Sequence, residues 1–170
     1  MQKQSSNGLW IIIALTVFVL LIGAGLMFSS SPSPATNSQN QAVSGALSAE
    51  ASFYDFGTIS MKDGDVSKAF PISNSSESPV TIAKLYTSCM CTKAKLKTPE
   101  REFGPYGMAG HGIIPRIDAS LEGGQQAEVE VVFDPAAHGP AGIGPISREV
   151  YVETTDGKKL TLSFKANVTP

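Results

Sequence analysis

The chain has 170 residues, of which 42% are hydrophobic, and carries 13 Lys and Arg against 15 Asp and Glu for a formal net charge of −2. With no basic run and no interleaving of aromatic and basic residues, it lacks the electrostatic footprint of a nucleic-acid binder. Nucleic acid is therefore excluded as a partner.

In chain order, the first feature is the uncharged segment LWIIIALTVFVLLIGAGLMF, residues 9–28, preceded by the single cation Lys3. Twenty helical residues rise about 30 Å, enough to cross the hydrocarbon core. The segment is apolar all round, unlike a surface helix with a polar stripe. It is also longer than a usual signal-peptide hydrophobic region and lacks a good small-x-small cleavage site. These features predict an uncleaved signal anchor, with cleavage and secretion as the second choice. Lys3 puts residues 1–8 on the cytoplasmic side as a short tail and the rest of the chain outside. With no cysteine nearby, a lipoprotein anchor is excluded. Residues 29–50, SSSPSPATNSQNQAVSGALSAE, offer almost no large apolar side chains. They cannot offset chain entropy by burial and read as a flexible tether.

Residues 51–170 then read as short strands and turns. The segments ASFYDFG, VSKAFPI, VTIAKL, AEVEVVF, EVYVE and LTLSF alternate apolar and polar positions, and Ile113 to Leu121 is a weaker strand candidate. Period two means strand, and the Asp156-Gly157 pair predicts a hairpin between the last two. About seven such strands, with no helical pattern after residue 50, predict an all-β, antiparallel, immunoglobulin-like β-sandwich. Phe53, Phe56, Phe70, Phe133, Tyr151 and Phe164 are expected in its core. Asn74-Ser75-Ser76 matches a glycosylation acceptor and is read as incidental.

The chemistry concentrates around the only two cysteines, in Cys89-Met90-Cys91, with Met108 and His111 within the next twenty residues. On an extended strand the two thiols share a face while Met90 points away. Their α carbons would stand roughly 6.5 to 7 Å apart, at or beyond the disulfide limit, so a direct Cys89–Cys91 bond would require a tight bend. A metal ion is less demanding, with sulfurs up to about 4.6 Å apart at bonds near 2.3 Å. Thiolate and thioether donors favour Cu(I), with zinc the lesser choice for a Cys, Cys, His set. The expected ligands are Cys89, Cys91, Met108 and His111, with His138 and Met90 as additional candidates. His138 lies in a second glycine-rich stretch, and sandwich loops distant in sequence gather at one end.

The stretches YDFGTI, VSKAFPISNSSESPVTI, YTSCMCT, EVEVVFDP and LTLSFKANV resemble the bacterial domain-of-unknown-function family numbered 1573. The resemblance spans nearly all of residues 50 to 168. It implies an immunoglobulin-like sandwich related to domains of sperm and ciliary proteins, and it assigns no function. Two features depart from the family pattern: Met90 stands where glycine usually separates the cysteines, and Thr98 to Gly112 is an insertion.

The resulting expectation is a non-enzymatic, membrane-anchored domain outside the cytoplasmic membrane that binds Cu(I). A structural or adhesive module engaging another envelope protein is the alternative, and a thiol redox protein the third reading. Catalysis by a single activated cysteine is the weakest account, because no base is placed beside either thiol by sequence.

Overall fold

A computed structural model of the protein describes residues 42–170. The predicted tail, the anchor at 9–28 and the tether as far as residue 41 lie outside the described residues. Eleven strands follow one another: β1 (Ala42–Ser44), β2 (Leu47–Ala49), β3 (Phe53–Ser60), β4 (Val66–Asn74), β5 (Val80–Thr87), β6 (Thr92–Lys97), β7 (Glu102–Tyr106), β8 (Ala119–Leu121), β9 (Gln126–Phe133), β10 (Gly144–Thr154) and β11 (Lys159–Thr169).

They form two sheets, one ordered β1-β2-β4-β9-β6-β7 and the other β3-β11-β10-β5-β8. The architecture is an all-β sandwich. Its pairings are antiparallel except between β3 and β11, the first and last strands of the second sheet, which run parallel. The core follows from the two-residue period: Ala127, Val129, Val131 and Phe133 of β9 face Leu160, Leu162 and Phe164 of β11 and Val150 and Val152 of β10, all buried. Phe133 and Phe164 meet across the sandwich with ring centroids 5.3 Å apart. Such a contact adds roughly 0.5 to 1.5 kcal/mol to the burial itself.

Of the aromatics assigned to the core, Phe70, Phe133 and Phe164 are buried and Phe56 packs edge-on against Phe164. Tyr151 is a correction. It sits one position out of phase with Val150 and Val152, so it faces outward and lies against Tyr86 at 5.1 Å between centroids. The strand expected over Ile113 to Leu121 shrinks to β8, and Ile113 is exposed.

The folded domain also begins earlier than residue 51. Residues 42–49, read as tether, make a hairpin whose β2 pairs with β4, and Leu47 and Ala49 are buried. Small residues hid the pattern. Gly45, at φ +62°, makes the tight turn between Ser44 and Leu47.

Candidate functional site

The cysteine pair is not on a strand. Residues 88–91 form a bend and turn between β5, in the second sheet, and β6, in the first, so the pair sits where the chain changes sheets. The amide of Thr92 donates to the Cys89 carbonyl at 3.1 Å, closing a turn around Met90. The hydroxyl of buried Thr87 lies 2.9 Å from the Cys89 carbonyl and 3.0 Å from that of Thr92, bracing both ends. The turn brings the two α carbons to 5.3 Å, and Cys89 and Cys91 are disulfide-bonded. This corrects the expectation that the pair stays extended and unbonded: the sheet crossover supplies the tight bend that an extended strand lacks.

Each sulfur has its own nitrogen neighbour. His138 places Nε2 3.2 Å from Sγ of Cys89, and Arg148 donates from Nε to Sγ of Cys91 at 3.3 Å. The Cys91 amide also donates to Sγ of Cys89 at 3.3 Å. His138 comes from the loop after β9. Its approach is fixed at the loop's start, where the Asp134 amide donates to the Cys91 carbonyl at 2.9 Å and the Asp134 carboxylate accepts from the Ala136 amide at 2.8 Å. A 3-10 turn over Gly139–Gly142 begins directly after His138. Arg148 lies on β10 in phase with buried Val150 and Val152, so the strand aims it into the end of the sandwich.

Sequence reasoning missed Arg148. The signal was present, because Ile146-Ser147-Arg148-Glu149-Val150-Tyr151-Val152 alternates and puts one cation on the inward face.

Of the other candidate ligands, Met90 is 53% exposed at the tip of the turn and borders a shallow depression with Cys91, Asp65 and Lys93. The insertion Thr98–Gly112 folds back toward the corner, as its glycines allow, but much of it is the edge strand β7 beside β6. Its end reaches β5: the Thr87 amide donates to the Gly107 carbonyl at 3.0 Å, and Met108 bridges to Thr87. His111 is exposed just beyond, its amide bonded to the Met108 carbonyl at 3.3 Å. Among the described residues, the ligand atoms that converge within 4.8 Å of one another are those of Cys89, Cys91 and His138, without His111. Of the two histidines, the one beside the cysteines is therefore His138 of the second glycine-rich stretch and not His111 of the first.

Chemically, the corner combines a disulfide with a permanent cation on one sulfur and an imidazole on the other. Such neighbours stabilise thiolates and move protons.

Residues 47–105 match the family described as "Protein of unknown function (DUF1573)". The matched stretch contains both cysteines and ends before Met108, His111, His138 and Arg148, and over it the resemblance read from the sequence holds. No curated protein matches the sequence. A solved structure of a protein of unknown function from Porphyromonas gingivalis W83 is similar with a TM-score of 0.52 at 14% identity, over 72% of this chain and 46% of that one. The VesB protease of Vibrio cholerae aligns with a TM-score of 0.47 at 16% identity, over 72% of this chain and 32% of that one. PapD-like domain 7 of human CEP192 aligns with a TM-score of 0.42 at 14% identity, over 82% of this chain and 96% of that one. The chain spans less than half the length of the first two, and at these identities the likeness concerns the fold only.

Proposed function

We propose that this protein presents a thiol–disulfide exchange centre, Cys89–Cys91, on an immunoglobulin-like sandwich held outside the cytoplasmic membrane by residues 9–28. The observation that carries the reading is the pairing of each sulfur with its own nitrogen, His138 at 3.2 Å and Arg148 at 3.3 Å.

The chemistry follows from the asymmetry of the two sulfurs. Attack on Sγ of Cys89 leaves the electron pair on the sulfur beside the Arg148 cation, so the incoming thiolate is assigned to Cys89. The S–S bond breaks, its electron pair stays on Cys91 Sγ, and Arg148 holds the resulting thiolate as a good leaving group. A second thiolate of the same substrate then attacks the substrate sulfur of the mixed disulfide and releases Cys89, to which His138 can pass a proton. The substrate dithiol leaves as a disulfide, and both cysteines remain reduced. The same steps reversed reduce a substrate disulfide.

Equilibration of the full-length chain with buffers of reduced and oxidised dithiothreitol tests this, with the protein thiols counted by alkylation and intact mass. A reversible two-electron transition is expected. Arg148→Met is expected to favour the disulfide by about 30 mV or more, a tenfold change in the equilibrium constant, because the thiolate loses its cation. If the disulfide resists reduction in the folded protein, or if Arg148→Met and His138→Ala both behave as wild type, the reading fails.

The convergence of Cys89, Cys91 and His138 within 4.8 Å favours a second reading for the reduced protein. Thiolates, not disulfide sulfurs, are metal ligands, so binding of Cu(I), or less readily zinc, would require the disulfide to open first. Titration of the reduced chain with Cu(I) would then give weaker binding in His138→Ala and no change in His111→Ala. An adhesive role toward an envelope protein is separated from both readings because capture of the partner would survive removal of the two cysteines.

A further inference from the structure

Among the described residues, the N-terminal half of β10 has an open side. β10 pairs with β11 from Gly144 to Glu153, but with β5 only from Val150 onward. Beyond β5 the cysteine turn takes over, and the Ser88 amide donates to the Glu149 carbonyl at 2.9 Å. Main-chain groups alternate sides along a strand, so the residues two and four before Glu149, Ser147 and Pro145, turn theirs to this same open side. Pro145 has no N–H to offer and the Ser147 carbonyl already accepts from Arg148 Nη1 at 2.7 Å, so main-chain pairing is limited to the Ser147 amide and the Pro145 carbonyl, which blunts indiscriminate sheet extension.

A depression of about 370 Å³ lies along this edge, bordered by His138, Ile143, Pro145, Ile146 and Arg148. Its apolar wall includes Ile143, which is 47% exposed. Two of the side chains that border it also touch the disulfide, His138 toward Cys89 and Arg148 toward Cys91. None of the ion pairs among the described residues uses Arg148, whose guanidinium donates from Nε to Cys91 Sγ and from Nη1 to the Ser147 carbonyl at 2.7 Å, so no carboxylate competes for its charge.

We propose that this groove receives an extended, cysteine-bearing polypeptide, which pairs its main chain with the Ser147 amide and the Pro145 carbonyl and lays its apolar side chains against Ile143 and Ile146, delivering its thiol to Cys89. The proposal rests on the exchange reading and names its substrate class. A strand edge supplies main-chain hydrogen bonds, an apolar wall supplies side-chain contact, and the cation beside the disulfide favours an arriving thiolate. The first step is attack by the peptide thiolate on Cys89 Sγ, forming the mixed disulfide and leaving the electron pair on Cys91 Sγ beside Arg148.

The test measures second-order rates of mixed-disulfide formation by intact mass, using the full-length oxidised chain in detergent micelles. Three thiols are compared: a nine-residue peptide with one central cysteine flanked by valine and threonine, the same peptide N-methylated at alternate backbone positions, and N-acetylcysteine amide. The first is expected to react about tenfold faster than N-acetylcysteine amide, the advantage that one or two net hydrogen bonds give. N-methylation is expected to abolish that advantage, and Ser147→Pro to lower the ratio of peptide to small-thiol rates. Equal rates for all three thiols would overturn the docking proposal while leaving the exchange reading in place. If no thiol opens the disulfide, both fall.

Discussion

Asn74 is fully buried at the end of β4, and its side-chain nitrogen reaches the carbonyls of Ser78, Leu121 and Glu122 at 2.8, 2.9 and 3.1 Å. Its side-chain oxygen accepts from the amide and hydroxyl of Ser76. The glycosylation match is therefore closed off in the folded protein, because the amide that would be modified is enclosed and fully engaged. Asn74→Ala strands several buried carbonyls and is expected to cost roughly 2 to 3 kcal/mol in urea unfolding. Tyr151 shows the same dependence on surroundings. Its hydroxyl donates to the Glu149 carboxylate, and that bond, then burial, then the charge of Glu149, push its pKa up to about 12. A group whose pKa is raised on folding stabilises the fold fully below its unfolded value, about 10 for tyrosine. That contribution is lost as pH rises through about 12. Absorbance at ~295 nm should show a late tyrosinate step that Tyr151→Phe removes.

The β1–β2 hairpin shows what one short element contributes. Its inward residues Leu47 and Ala49 cover the end of β4, and the Ser75 amide donates to the Ala46 carbonyl at 2.8 Å. Leu47→Ala is expected to cost about 2 to 5 kcal/mol, the range for a buried leucine truncated in a packed core. A chain started at residue 51 would lose the hairpin and unfold at lower urea than one started at residue 42. The connection from β8 to β9 is equally constrained. A Cβ on Gly123 would stand 2.5 Å from the Glu77 carbonyl oxygen, and backbone cannot swing aside as a side chain can. Gly123→Ala is expected to destabilise by roughly 1 to 3 kcal/mol, measured by the same unfolding curves.

For the whole molecule, the question is how much the fold depends on its one disulfide. Closing so short a loop removes little unfolded-state entropy, about 1.6 kcal/mol by the chain-entropy relation. Cys89 and Cys91 belong to the buried interior that runs from Leu47 to Val168, but most of that interior is built by strand residues of the two sheets. The double variant Cys89→Ala, Cys91→Ala is therefore expected to fold, with Tm lower by only about 5 °C. A fall of tens of degrees by calorimetry would make the disulfide a structural staple and undercut exchange. A fold that tolerates both oxidation states is what a working redox couple requires.

The sequence by itself determined the strands, because burial of one face imposes a two-residue period wherever side chains are large enough to show it. AEVEVVF became β9, and Asp156-Gly157 became the β10–β11 hairpin. The period was hidden where small residues carried it, as in β1 and β2, and it was not used for Tyr151 or Arg148, whose phase against Val150 and Val152 places one outside and the other inside. The cysteines were legible from their spacing as a pair that could act on one object. Their bonding was not, since it depends on a bend that Thr87, Thr92 and the change of sheet impose together. Only the tertiary structure chose the partners: hydrogen bonds of Asp134 and packing along β10 bring His138 and Arg148, 49 and 57 residues distant in the chain, onto the two sulfurs. Local periodicity reports which way a side chain faces, and what it meets there is decided by how distant strands stack.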